Sequence, residues 1–350
     1  MNSLSTYGWT TEHQASWDAL QLDGLQPARV IADFGTSLKI ATPQLLTAEL
    51  SGKLAHYSTR DDTPKVGDWV AVRILDNSRI VETVVLRSNE IARKVSGNRS
   101  VKQIFAANVD IAFVLLSLDH DFSVERLKRF LLQLSIHAIA PVILLNKADK
   151  TNDLASYMSQ LEQFDLPIIT SIATDNSSAH EITDLIKPGE TAILLGSSGV
   201  GKSTLTNKLL GRDAQDTGES RDSDSKGRHT TVHRELFLLP NGGILIDTPG
   251  IRELQLWGTE DDVDANFDDI IQLAIGCKYS NCTHESQKGC AIHKALATGA
   301  LDKKHYANYL KMKSEMAALN VRKAEKSKKD NARVRKYNTA KNYLRDLHDD

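Results

Sequence analysis

Cysteine is scarce in this 350-residue chain, with three residues, all between Cys277 and Cys290. That scarcity excludes a disulfide framework, and the clustering points to metal chemistry in a reducing compartment. An excess of charge of one sign is also missing: 43 Lys and Arg against 45 Asp and Glu leave a formal net charge of −2. Nothing global therefore marks the chain for nucleic acid, and any basic surface has to be local. Long apolar runs are absent too. The longest, such as 111–116, are strand-length and well short of a bilayer span. Residues 1–7 carry neither a basic region nor an apolar one, so export is not expected and a cytoplasmic location is. What remains, at 41% hydrophobic and 25% charged, is a soluble globular composition with room for two or three domains.

Residues 1–27, with Trp9 and Trp17, show no usable motif and read as an N-terminal arm or a lead-in to the first domain. Over 28–95 the pattern becomes short β-rich runs at 29–32, 38–41, 45–50, 68–74 and 80–86, punctuated by Gly35, Gly52, Pro64 and Gly67. Five such strands predict a small closed barrel, with an OB-fold as first choice and an SH3-like barrel as the alternative that periodicity cannot separate. The barrel lacks an aromatic stacking pattern that would mark single-stranded nucleic acid.

From residue 96 to 258 strands and helices alternate, as in a parallel sheet covered by helices. A strand at 109–117 is followed by Ser123 as N-cap and by Val124, Leu127, Phe130, Leu131 and Leu134 at helical spacing. The next strand, 141–145, delivers Asn146-Lys147-Ala148-Asp149 to its C-terminal end, where α/β sheets bind ligands. Asn-Lys-x-Asp at that place resembles the guanine-specificity motif of GTPases. The Asp149 carboxylate can accept from guanine N1–H and the exocyclic amine, Asn146 can contact the purine edge, and the Lys147 stem can lie over the ring or the sugar. Ser171, near the end of the strand at 168–172, stands where such proteins carry a base-contacting Ser-Ala, with Ile172 in place of the alanine.

The apolar run 191–195 leads into Gly196-Ser-Ser-Gly-Val-Gly-Lys-Ser203 and a helix. Strand, glycine loop and helix are what a P-loop requires. Gly196, Gly199 and Gly201 let successive N–H groups converge on phosphate, with Ser197, Ser198, Val200 and Thr204 completing the candidate cradle. Lys202 would reach the β- and γ-phosphates, as ligand and catalytic group, and Ser203 would ligate Mg²⁺. Beyond this helix comes a polar segment, 211–231, where Gly227-Arg-His-Thr-Thr offers Thr230 or Thr231 as a second Mg²⁺ ligand. A hairpin across Asn241-Gly-Gly then ends in Asp247-Thr-Pro-Gly250, the Asp-x-x-Gly element that meets Mg²⁺ through Asp247 and senses the γ-phosphate through the Gly250 N–H.

Ordinary GTPases run P-loop, switch I, Asp-x-x-Gly, Asn-Lys-x-Asp. Here the last comes first, which a circular permutation explains. Everything after Gly250 then hangs directly from the second switch. Residues 259–350 hold Cys277-x4-Cys282-x-His284-x5-Cys290, a donor set suited to a closed structural zinc site, with His293 as a competing ligand. The last stretch turns helical and basic, from Arg322 and Lys323 to Lys341, as a solvated face or an RNA-contacting tail.

Barrel, permuted GTPase motifs and zinc segment in this order resemble the RsgA (YjeQ) family over nearly the whole chain after residue 28. The resemblance implies a bacterial cytoplasmic GTPase that acts on the small ribosomal subunit and its rRNA late in maturation; GTP and GDP, Mg²⁺ and one zinc are the expected ligands, and a monomer is the expected state. It also points to His229 as catalytic. Ile251 occupies the place directly after Asp-x-x-Gly where Ras-like proteins hold the water-orienting glutamine. Two other readings stand beside it: an RNA-binding placeholder with negligible turnover, and a permuted GTPase of large-subunit assembly.

Overall fold

The computed structural model describes residues 3–56, 63–76, 78–94, 102–172, 176–211, 234–247, 258–285, 287–322 and 324. The chain divides into two compact units. One comprises Met1–Arg93 with Gln103–Leu254, the other Lys94–Lys102 with Gln255–Asp350.

In the first unit a 3-10 turn over Leu4–Tyr7 precedes α1 (Thr11–Ala19), which starts at a capping box between Thr10 and His13. No residue of α1 is buried, so apolar periodicity could not have announced it. Aromatic contacts hold the segment instead. Tyr7 is buried, and Trp9 meets Trp69 edge-on with ring centroids 4.7 Å apart. Trp69 opens the fourth strand of the barrel.

That barrel consists of β1 (Gln26–Asp33), β2 (Leu38–Ala41), β3 (Leu45–Leu50), α2 (Gly52–His56), β4 (Trp69–Ile74) and β5 (Arg79–Leu86). Pairing runs β1-β2-β3-β5-β4 and returns from β4 to β1, so the sheet closes. Only the β3–β5 pairing in this circuit is parallel. That circuit, with a helix between β3 and β4, is the OB-fold and excludes the SH3-like alternative. Alternate residues such as Val30, Ile40, Val70 and Val72 face the barrel core, as the period of two requires. A two-stranded ribbon, β6 (Glu90–Lys94) with β7 (Lys102–Ala107), follows.

The α/β part is built from β8 (Ile111–Ser117), α3 (Val124–Ile136), β9 (Ala140–Asn146), α4 (Leu154–Leu161), β10 (Ile168–Ser171), α5 (Asn176–Asp184), β11 (Thr191–Gly196), α6 (Lys202–Leu210), β12 (Glu235–Leu238) and β13 (Ile244–Asp247). Its strands lie in the order β10-β9-β8-β11-β13-β12, all parallel except β12. Each strand is apolar on both faces. Ile143, Leu145, Ile193 and Leu195 pack toward α3 and α4, whereas Leu144 and Leu194 pack toward α5 and α6. This double burial explains the continuous apolar runs seen in the sequence. Ala32 of β1 pairs with Glu235 of β12, so barrel and α/β sheet are hydrogen-bonded neighbours.

The second unit is helical: α7 (Glu260–Ala265), α8 (Asp268–Ile275), α9 (Ala291–Thr298) and α10 (303–322). Asp264 accepts from Tyr309 Oη at 2.9 Å and from Lys313 Nζ at 2.8 Å, which ties α7 to α10. Among the described residues no helix is long and apolar enough to cross a membrane.

Candidate nucleotide site and metal cluster

Because β8, β9, β11 and β13 are parallel, their C-terminal ends lie on one edge of the sheet. That edge gathers Asn146, Gly196 and Asp247, which the sequence separates by up to 101 residues. Gly196 has φ 154°, and a Cβ there would lie 2.8 Å from Leu115 O, so only glycine fits where the loop leaves the sheet. Gly201, at φ 99°, caps α6 without a side chain, leaving the first helical N–H groups open toward the loop. Ser198 and Gly199 are exposed, while Ser197 and Val200 turn inward. The last two can therefore offer phosphate only their backbone. Ser203 and Thr204 sit half-buried in the first turn of α6.

Lys202 Nζ donates to Gly196 O at 2.8 Å and Ser197 O at 2.5 Å, arching over the loop. Burial lowers its pKa to about 8, against the fields of Asp247 and Asp121, which raise it. Asp247 is buried at the end of β13, close enough to Lys202 for that field to register.

The Asn146 side chain does not point freely at a ligand. Its Nδ2 donates to Val200 O at 2.7 Å and its Oδ1 accepts from Ser171 Oγ at 3.2 Å, so it fastens the phosphate loop to β9 and β10. Lys147 adopts φ 61° and its Nζ pairs with Asp119 at 2.9 Å. Asp149 lies exposed on the 3-10 turn Ala148–Lys150, beside Lys150 at 3.3 Å, with its carboxylate open to solvent. Sequence reasoning passed over Asp119 and Asp121, whose only signal was their place just after β8. His229, Thr230, Thr231, Gly250 and Ile251 lie outside the described residues, as does the basic tail after Arg322 apart from residue 324.

In the second unit Cys277, Cys282, His284 and Cys290 bring their ligand atoms within 4.8 Å of one another. His284 Nδ1 is 3.5 Å from both Cys277 Sγ and Cys290 Sγ, and those sulfurs are 4.0 Å apart. A tetrahedral ion with metal–sulfur bonds of about 2.3 Å separates its donors by roughly 3.5–3.8 Å; the His284–sulfur distances match this, and the sulfurs, slightly wider apart, are compatible with zinc. Backbone N–H groups support the sulfurs, Ala291 N on Cys277 at 3.3 Å and His293 N on Cys290 at 3.5 Å. His293 is not a member of the cluster; its Nε2 contacts the His284 carbonyl at 3.0 Å.

Strand order, phosphate loop and Asn-Lys-x-Asp together define a circularly permuted P-loop GTPase. The RsgA GTPase family model matches residues 84–257, and a model for 50S ribosome-binding GTPases matches 191–341. A small ribosomal subunit biogenesis GTPase RsgA from Opitutus terrae is 36% identical over 330 residues, 90% of each chain, and RsgA 2 from Vibrio parahaemolyticus is 38% identical over 320 residues, 90% of this chain and 86% of its own. The chain belongs to the RsgA family of GTPases. Crystal structures agree in fold: YjeQ from Thermotoga maritima (TM-score 0.60, 22% identity, 84% of this chain and 99% of that one) and YloQ, a circularly permuted GTPase (TM-score 0.58, 21% identity, 85% and 97%).

Proposed function

We propose that this GTPase hydrolyses GTP in a reaction stimulated by the small ribosomal subunit, late in that subunit's maturation, as a monomeric cytoplasmic protein in contact with rRNA. The observation that carries the guanine-nucleotide part is the bond from Asn146 Nδ2 to Val200 O at 2.7 Å, which holds the base-reading and phosphate-binding loops as one surface. In this reading Asp149 accepts from guanine and the Lys147 stem covers the ring. Backbone N–H groups of 196–204 and the Lys202 ammonium surround the phosphates. Ser203 and Asp247 offer the hydroxyl and carboxylate oxygens that suit Mg²⁺, with Thr230 or Thr231 as a further ligand; the ion would neutralise charge building on the phosphates. Zinc, held by the four clustered residues, has no open position for water and is structural.

Support for the small subunit comes from relatives of that name aligned over 90% of this chain. The 50S model covers 191–341 alone, beginning at the P-loop strand and omitting the barrel. Turnover of GTP and ATP, measured with and without small and large subunits, tests the proposal. GTP-selective hydrolysis raised by the small subunit is expected. Negligible turnover in every condition would favour the placeholder, and stimulation by the large subunit alone would favour the other assembly pathway.

A further inference from the structure

We infer that the loop 118–122 positions the nucleotide site from behind: Asp119 holds Lys147 over the base, and Asp121 holds Ser197 of the phosphate loop, so that one short loop keeps both halves of the site in register. The inference rests on the guanine-nucleotide reading above and adds two residues that none of its motifs contains.

The loop leaves the end of β8, which lies between the Asn-Lys-x-Asp strand β9 and the P-loop strand β11. Asp119 Oδ2 accepts from Lys147 Nζ at 2.9 Å and from Ser117 Oγ at 2.8 Å, and its Oδ1 accepts from Asp121 N at 2.9 Å. Three donors on its two oxygens fix the Asp119 carboxylate, and the Lys147 ammonium that it draws in gives the stem its direction. Burial pushes the Asp119 pKa up, yet the bonds from Lys147, Asp121 N and Ser117 outweigh it and hold the group at about 2. The carboxylate is thus ionised throughout the working range.

Asp121 serves the phosphate loop. Its Oδ2 accepts from the inward-turned Ser197 Oγ and from Arg126 Nη1, the latter at 2.7 Å. Each acid is matched by a cation, Lys147 or Arg126, so the loop comes close to the phosphates without adding an uncompensated negative charge. Phe122 anchors the loop, packing edge-on against Tyr157 of α4 with centroids 4.7 Å apart. Packing at one end and ion pairs at the other make the loop a fixed support.

A merely structural role and a positioning role separate in a double-mutant cycle. Release of a fluorescent GDP analogue is the readout. Asp119→Asn should release it about tenfold faster than wild type, whereas on a Lys147→Ala background the same change should add less than about twofold, because the partner through which Asp119 acts is already gone. Asp121→Asn and Ser197→Ala should behave likewise as a pair. Lys147→Met keeps the apolar stem and removes the ion pair, so it should match Asp119→Asn and carries the test if that variant folds poorly. Wild-type release rates in Asp119→Asn or Lys147→Met, or full multiplicative effects in the cycles, overturn the inference. Failure of the wild type to hold GDP at all would instead overturn the nucleotide reading and this inference with it.

Discussion

Arg29, in the first barrel strand, donates from Nη2 to Thr191 Oγ1 at 2.9 Å, and Thr191 is the first residue of the P-loop strand. The same guanidinium reaches Asn108 O at 3.1 Å, Gly67 O at 3.2 Å and the Tyr7 carbonyl, and lies over the Trp69 ring at 5.1 Å. It is 2% exposed. Burial lowers its pKa to about 10, opposed by Asp110 and Asp68, so the group is still charged at neutral pH. One buried cation thereby joins the N-terminal turn, the barrel and the root of the phosphate loop.

Removing it leaves several buried acceptors unpaired. Arg29→Met should cost about 3 kcal/mol or more of unfolding free energy, since each buried acceptor left unpaired costs about 1–3 kcal/mol. Urea unfolding followed by tryptophan fluorescence measures it, since Trp9, Trp17 and Trp69 all sit beside this residue or its neighbours. A loss below about 1 kcal/mol would show that solvent replaces the contacts.

Periodicity made much of this fold legible. The strands at 38–41 and 45–50 coincide with β2 and β3, and Ser123 caps α3 by accepting from Arg126 N at 3.2 Å. Those signals are local, either alternating apolar residues or a polar cap before an amphipathic face. Periodicity alone could not separate the expected OB-fold from an SH3-like barrel, because barrel type depends on which strands pair, and the parallel β3–β5 contact joins residues 31 apart, Glu49 with Ile80 and Leu50 with Val81. Arg29 was equally hidden. A lone arginine in a short β-run looks like a solvent-facing residue until Tyr7, Gly67, Asn108 and Thr191 converge on it. At the site, glycine spacing announced the phosphate loop, but the inward turn of Ser197 and the tethering of Asn146 arise from long-range contacts that no spacing encodes.

The lowered pKa of Lys202 gives the site a pH signature. Between about 8 and the ordinary value of 10.5, the folded nucleotide-free chain has released a proton that the unfolded chain retains. Its stability therefore rises with pH across that window. Nucleotide binding runs the other way, because phosphate requires the ammonium and restores the proton. Affinity for GDP should be flat below about pH 7.5 and fall by up to about tenfold per pH unit above 8. Calorimetry near pH 8.5 in buffers of different ionisation enthalpy should reveal proton uptake on binding. Heats independent of the buffer would contradict it.

Metal in the second unit should affect folding and leave chemistry largely alone. Metal analysis is expected to find one zinc per chain, and Cys282→Ser should lose it and destabilise α8, α9 and their connection. GDP affinity should change less than about twofold, since no ligand of the cluster belongs to the nucleotide site. Protein purified without chelator that contains no zinc would refute the assignment. A large loss of GDP affinity would mean that the cluster also supports the first unit.

Hydrolysis needs a polar group to orient water, and Ile251, directly after Asp-x-x-Gly, cannot do so. Intrinsic turnover should accordingly be slow. His229 lies between the P-loop helix and β12 in sequence, next to Thr230 and Thr231, which are the candidate Mg²⁺ ligands. It is the polar side chain nearest in sequence to those ligands that could serve as a base or hold water. Subunit docking would then act by favouring the arrangement that brings His229 to the γ-phosphate, a shift in population and not a new chemical group. His229→Ala should bind GTP and the small subunit like wild type but lose at least about tenfold of the stimulated rate, the lower part of the range for general acid–base groups. Single-turnover measurements with saturating subunits check this directly. Stimulation equal to wild type would exclude His229 and leave the activating group to the ribosomal partner.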